Sequence, residues 1–171
     1  MILEEVIRKM LEKNKANKST PLKKNTSEVH SEHTSICSKE GNTNKARITS
    51  FSRREKLKSK KLIEQLFIEG SSVSSYPIKL IYLKTELPFS VPMQVGVTVP
   101  KKNFKSAVHR NRIKRLLREG YRLNKEIVFN NSESTFAFLF LYLGKGMPEH
   151  YTINQHIQLA LHKFKKKIDH E

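Results

Sequence analysis

Eight consecutive apolar residues, Phe136 to Leu143 (FAFLFLYL), stop at the turn-forming residues Gly144, Gly146 and Pro148. Apolar at odd and even positions alike, they read as a central strand buried on both faces of a sheet. The elements that cover such a sheet are legible on either side. Ser59 can cap a helix that ends before Gly70, with Leu62, Ile63, Leu66 and Phe67 facing inward. Alternation of Ile78, Leu80 and Tyr82 predicts a strand over 78–84. Pro88 and Pro92 interrupt the chain beyond that strand. Val95, Val97 and Val99 form a second alternating run, closed by Pro100. It is expected to pair with its predecessor as a hairpin, with room for a further short strand between them. A helix is predicted over 106–123. After the central strand, Thr152 and Gln155 form a capping box, and Ile153, Ile157, Leu161, Phe164 and Ile168 stripe a last helix. Helix, two or three strands, helix, strand, helix predicts one sheet covered by helices, an α+β or α/β sandwich.

The chain of 171 residues allows one such domain with a tail. Residues 13–50 are rich in Lys, Asn, Ser, Thr and Glu and lack periodicity, so they read as disordered. Ile2, Val6, Ile7 and Met10 share one side of a short helix over 1–12, marginal on its own. The expected division is a basic N-terminal extension over 1–46 and a nucleic-acid-binding domain over 47–171. Cys37 is the single cysteine, so no internal disulfide can form, which fits a cytoplasmic protein. No run reaches the roughly 18 apolar residues that span a bilayer. The first residues carry Glu4 and Glu5 and no long apolar core, so they do not read as a secretory signal.

Thirty-three Lys and Arg against 16 Asp and Glu leave a formal +17. Over half of that lies between Lys101 and Lys125, where ten basic residues face one acid, Glu119. Within it, Arg110, Lys114, Arg118 and Arg122 recur every four residues and are expected along one side of the helix, while Ile113, Leu116, Leu117 and Tyr121 take the spacing of a buried face. A step of four residues advances about 6 Å along a helix axis, close to the spacing of successive phosphates. Arginine forks match phosphate oxygens and lysine adds a mobile charge. A stripe so poor in compensating acids points to a polyanionic partner, where a solvated charged face would carry both signs. Asn111, an indifferent helix former between Arg110 and Arg112, can donate and accept near a base, a 2′-hydroxyl or a metal-bound water.

Catalytic chemistry is poorly supplied. The acids of the folded part form no close pairs of the kind that hold two metals or share acid–base work. The seven histidines are scattered, with His156 and His162 six apart, off one helical face. Gly144-Lys145-Gly146 lacks the spacing and ending of a phosphate loop and reads as a turn. A protein-only nuclease is therefore disfavoured. Phe136, Phe138, Phe140 and Tyr142 share one side of a strand; on an open sheet they could stack on bases, but at strand spacing they read as core.

The segment Ala107 to Arg122, AVHRNRIKRLLREGYR, resembles the signature of the bacterial ribonuclease P protein component. Phe51-Ser52-Arg53-Arg54-Glu55-Lys56-Leu57 is similar to that family's opening, Phe67-Ile68-Glu69-Gly70 to the end of its first helix, and Val95-Gly96-Val97-Thr98-Val99-Pro100-Lys101-Lys102 to the strand and double lysine before the signature. The likeness runs over about residues 49 to 168. It implies an α+β fold in the order αβββαβα, with a mixed four-stranded sheet, three helices and a left-handed β-α-β crossover, similar to the second domain of a small-subunit ribosomal protein. It implies the accessory subunit of an endoribonuclease in which an RNA, with Mg2+ held mainly by that RNA, removes the 5′ leader of precursor tRNA. Arg110, Asn111, Arg112, Lys114, Arg115 and Arg118 would then face the catalytic RNA, with Lys101, Lys102, Lys105 and Arg122 adding to the same basic surface. Ile63, Phe67 and Tyr82 would line a cleft for the single-stranded leader, Ile63 standing where the family often has an aromatic ring. A free-standing RNA-binding module or RNA chaperone is the alternative. No obligate protein partner, no membrane and no organic cofactor are expected.

Overall fold

The structure, a computed structural model, describes residues 50–87, 91–129 and 134–169. The short helix and disordered stretch expected before residue 50 lie outside the described residues. Helix α1 (Lys60–Ile68) leads into β1 (Ser71–Ser75) and β2 (Ile78–Lys84). Strand β3 (Met93–Thr98), the basic helix α2 (Ala107–Asn124) and a one-turn helix α3 (Glu126–Phe129) come next, then β4 (Phe136–Tyr142) and α4 (His150–Ile168). The expected α+β class stands, with four helices among the described residues where three were expected.

The sheet has the order β1-β2-β4-β3, with β1–β2 and β2–β4 antiparallel and β3–β4 parallel. The hairpin expected between β2 and β3 does not form: β4 inserts between them, and all seven of its residues are buried. The third strand of the early part is β1, before β2, and its Ser-Ser-Val-Ser-Ser sequence has no apolar alternation to announce it. Outside β3, Leu57 N donates to Val95 O and Val95 N to Glu55 O, so residues 55–57 cover that edge.

Each face of the sheet holds its own core. Ile78, Leu80, Tyr82, Met93, Val95, Phe136, Phe138, Phe140 and Tyr142 pack against α2 and α4 through Ile113, Leu117, Tyr121, Ile153, Ile157, Leu161 and Phe164. The Phe136 series is thus core. Phe164 meets Phe138, Tyr82 and Phe136 edge-on at centroid distances of 4.7, 4.8 and 5.3 Å. Such side chains each contribute about 1.5–3 kcal/mol on burial. On the other face, Leu57, Leu66 and Phe67 pack against Ile81, Ala137, Leu139 and Leu141.

Local signals set the helix ends. Ser59 Oγ accepts from Leu62 N at 3.3 Å, the cap expected for α1. The expected Thr152–Gln155 box does not open α4: the helix starts at His150 with Glu149 as its cap residue. Thr152 is inside the first turn, and Gln155 Nε2 instead donates to Tyr151 Oη at 2.7 Å.

Candidate nucleic-acid interface

Helix α2 is built to hold one side down. Ile113, Leu117, Gly120 and Tyr121 are buried, and at Gly120 an added Cβ would come within 2.6 Å of Ile157 Cδ1, so α4 lies close at that point. Asn124 Nδ2 donates to Gly120 O at 2.8 Å and to Asn154 Oδ1 at 2.6 Å, tying the end of α2 to α4. Just past the helix, Lys125 is 1% exposed, and its Nζ lies 3.0 Å from Glu55 Oε2 and also donates to Ser50 O. Phe51 packs edge-on to Tyr121 at 5.8 Å. Burial, with the Glu55 carboxylate nearby, pushes the Tyr121 hydroxyl well above its ordinary range. Lys125 is therefore structural, unlike the exposed Arg112, Arg115 and Arg118 that precede it.

The opposite side of α2 presents Val108, Asn111, Arg112, Arg115 and Arg118, all exposed. The four-residue stripe expected from Arg110 to Arg122 is corrected by this geometry. A step of four overshoots a 3.6-residue turn by about 40°, so the stripe winds around the helix. Arg110 and Lys114 fall on the half-buried flank. Arg110 turns back, its Nη1 donating to Phe104 O at 2.9 Å and Lys105 O at 2.6 Å. It caps carbonyls at the helix entrance, where the side chain of Ser106, the cap residue, makes no capping hydrogen bond. Arg122 is gripped by Glu119 through Nε to Oε2 at 2.9 Å and Nη2 to Oε1 at 2.6 Å. The Arg122 hydrogen bond, aided by its charge, holds the Glu119 carboxyl below its ordinary range despite some burial. Arg112, Lys114, Arg115 and Arg118 are engaged by no acid among the described residues. Lys101, Lys102 and Lys105 are exposed on the segment entering α2. Asn103 fixes that segment, its Nδ2 donating to Leu143 O at 3.0 Å and Gly144 O at 3.2 Å.

Ile63, Phe67 and Tyr82 do not meet in one cleft. Side chains alternate along β2, and Tyr82 falls with Ile78 and Leu80 on the α2–α4 face. Ile63 and Phe67 belong to α1 on the other face. Tyr82 is 4% exposed, and its hydroxyl is buried without a hydrogen-bond partner among the described residues. Its neighbours are Phe164 and, 5.5 Å from its ring, Lys167 Nζ. Phe67 is also buried, at 5%, and Ile63 is half-buried. The β2 residues that do face α1 are Lys79, Ile81 and Leu83. Parity is what the sequence reading missed, since a one-residue shift moves a side chain through the sheet.

Among the described residues no three His, Cys, Asp or Glu side chains gather to hold a metal. None of the described helices is long and apolar enough to cross a membrane.

The comparisons with known proteins agree with this architecture. The family profile described as Ribonuclease P matches residues 51–165. The ribonuclease P protein component of Porphyromonas gingivalis strain ATCC 33277 is 32% identical over 114 residues, covering 65% of this chain and 83% of that one. Its counterpart in Chlorobium phaeobacteroides is 33% identical over 131 residues, covering 69% and 90%. The ribonuclease P protein structure from Staphylococcus aureus superposes with a TM-score of 0.54 at 19% identity, covering 65% of this chain and 95% of the other. That from Thermotoga maritima gives 0.51 at 23%, covering 64% and 97%. At those identities the two structures speak for the fold, and the sequence matches carry the assignment. The chain belongs to the ribonuclease P protein family.

Proposed function

We propose that this chain is the protein subunit of a ribonuclease P whose catalytic groups reside on its RNA, and that it assists endonucleolytic removal of the 5′ leader from precursor tRNA. The observation that carries this reading is the exposed side of α2. Arg112, Arg115 and Arg118 stand there with Asn111, engaged by no acid among the described residues, in a chain of this family. Arginines so arranged bind phosphates by charge-assisted, forked hydrogen bonds. Packing against α4 and the buried Lys125–Glu55 pair hold the helix rigid, so its cations need little ordering when RNA arrives. Lys101, Lys102 and Lys105 extend the surface toward the sheet, while Arg110 and Arg122 support it from positions that protein groups already engage.

The leader is assigned to the α1 side of the sheet, where Ile63 and Phe67 lie, and Tyr82 has no part in it. Mg2+ is assigned mainly to the RNA. On this chain the Asn111 amide is the exposed neutral group able to bond a metal-bound water beside the arginines. The expected place of work is the cytoplasm.

Reconstitution tests the reading. The purified chain, mixed with its cognate ribonuclease P RNA, should accelerate leader cleavage at low Mg2+. A folded chain that binds RNA but leaves cleavage unchanged would favour the free-standing RNA-binding module.

A further inference from the structure

Helix α4 contains no acidic residue, and its last two turns carry Lys163, Lys165, Lys166 and Lys167. The strands β1 and β2, over which it packs, contain no acid either. Lys163 sits where α4 meets the free edge of β1, its Nζ donating to Ser74 O at 2.9 Å. Four residues on, Lys167 Nζ lies 5.5 Å from the centroid of the buried Tyr82 ring. Ser71 pairs with Tyr82, so its exposed hydroxyl is on the same face of the sheet. Lys84, two residues beyond Tyr82 along β2, points to that face too and is exposed. Lys163, Lys166 and Lys167 are also exposed.

The helix end accounts for part of this set. Cations in a last turn offset the partial negative charge there, an effect confined to that turn. Lys163 stands before the last turn, and Lys84 belongs to another element. A charged face kept only for solvation would mix both signs. No acid among the described residues, the exposed Asp169 at the helix end included, forms an ion pair with Lys163, Lys166 or Lys167. Two of these lysines are already ordered by groups that leave them free to bind an anion. An ammonium has three N–H donors, and Lys163 uses one on Ser74 O. The Tyr82 ring attracts the Lys167 charge without occupying a donor. Such ordering lowers the cost of fixing the side chains on a ligand.

We propose that the C-terminal half of α4 and the β1 edge form a second RNA-backbone surface, separate from α2 and from the α1 side of the sheet. Lys163 and Lys167 are its phosphate ligands, Lys84 and Lys166 add charge, and the Ser71 hydroxyl is a further donor. The inference rests on the RNA-binding role proposed above and adds that the chain holds two RNA segments at once. Lys163 and Lys167 are about 6 Å apart along the helix axis, close to the spacing of successive phosphates. Helix α4 meets α2 through Ile153, Asn154 and Ile157, and β1 through His156 and Lys163, so these lysines lie on the side away from α2. Two packed helices together measure about 20 Å across, so the two surfaces take separate stretches of backbone. The ring in the cluster, Tyr82, is buried and offers no platform for base stacking, so the surface reads phosphate and not sequence. Phosphates of ribonuclease P RNA and of the tRNA body suit it equally.

The test uses the full chain, its ribonuclease P RNA, and tRNA with and without a leader. Lys163→Gln/Lys166→Gln/Lys167→Gln should weaken one binding step about tenfold and lower its salt slope by about two. That step is either the chain with ribonuclease P RNA or the holoenzyme with mature tRNA, and the one that weakens names the source of the phosphates. The matching triple Arg variant should keep the wild-type affinity, and both variants should melt as cooperatively as the wild type. A photoreactive side chain in place of Lys166 should crosslink to the same RNA in the assembled holoenzyme. A folded Gln variant that binds both RNAs like the wild type overturns the second surface. So does a loss confined to leader-bearing tRNA, or the absence of a crosslink from position 166 when the same group at position 115 gives one. If Arg112→Ala/Arg115→Ala/Arg118→Ala also leaves RNA binding intact, the RNA-binding reading falls together with the second surface.

Discussion

Lys125 Nζ and Glu55 Oε2 lie 3.0 Å apart in the interior, joining the end of the basic helix to the segment that precedes α1. Lys125 also donates to Ser50 O, and its Nζ stands 4.8 Å from the Phe129 ring centroid. The pair is a positioning device for α2. Removing one partner leaves a buried charge, which costs more than the pair itself contributes. Lys125→Met should destabilise the chain by about 3–5 kcal/mol in chemical denaturation. Adding Glu55→Gln should recover much of that loss. Equal stability of the single and double variants would show that the carboxylate does not depend on Lys125.

Arg110 and Arg115 differ in role despite lying five residues apart on one helix. Arg110 is engaged with two backbone carbonyls at the helix entrance, and Arg115 points outward with no acid beside it. Arg115→Ala should weaken RNA binding by about 1–3 kcal/mol and leave the melting temperature unchanged. Arg110→Ala should lower stability by about 1 kcal/mol and weaken RNA binding less than Arg115→Ala does. Filter binding and thermal melts of both variants read the difference, and the reverse order of effects would contradict these assignments.

Lys79 gives a pH signature independent of RNA. Its pKa in the folded chain lies below the ordinary 10.5, so the folded state disfavours its proton. The resulting penalty is fully present below the folded pKa and fades as pH rises through that value toward 10.5. Lys79→Met should therefore be at least as stable as the wild type at neutral pH, with the advantage shrinking on the alkaline side. An advantage that grows with pH would reverse the sign and contradict a desolvated amine.

Gly70 closes α1 under a tight backbone. A Cβ there would fall 2.2 Å from Leu66 O and 2.9 Å from Ile81 Cγ2. The first contact is with main chain, which cannot swing away. Gly70→Ala should cost about 1–3 kcal/mol by the rules for overpacking, measured by urea unfolding. A neutral substitution would mean that the α1–β1 turn relaxes more easily than its packing suggests.

Much of this architecture is legible in the amino-acid sequence because the signals are local. Ser59 caps α1 as its position implies, and the two-faced apolar run at Phe136 is the buried β4. The α2 and α4 stripes appear as buried faces. The features that stay hidden depend on partners distant in sequence or on fine phase. Strand β1 is an edge of serines that pairing alone recruits. The insertion of β4 between β2 and β3 comes from the α2 crossover, which no property of β3 itself records. Tyr82 is expected beside Phe67 from the family resemblance, yet strand parity puts them on opposite faces. Arg110 and Lys114 are expected outward because a four-residue step looks like a straight stripe, although it drifts around the helix.

The claim that carries the rest is that the outward side of α2 binds phosphates. The salt dependence of affinity for ribonuclease P RNA tests it directly, comparing the wild-type chain with Arg112→Ala/Arg115→Ala/Arg118→Ala. Log affinity should fall steeply with log salt for the wild type, and the triple substitution should reduce the slope by about one per phosphate contact removed. Identical slopes for a folded triple variant and the wild type would contradict the account.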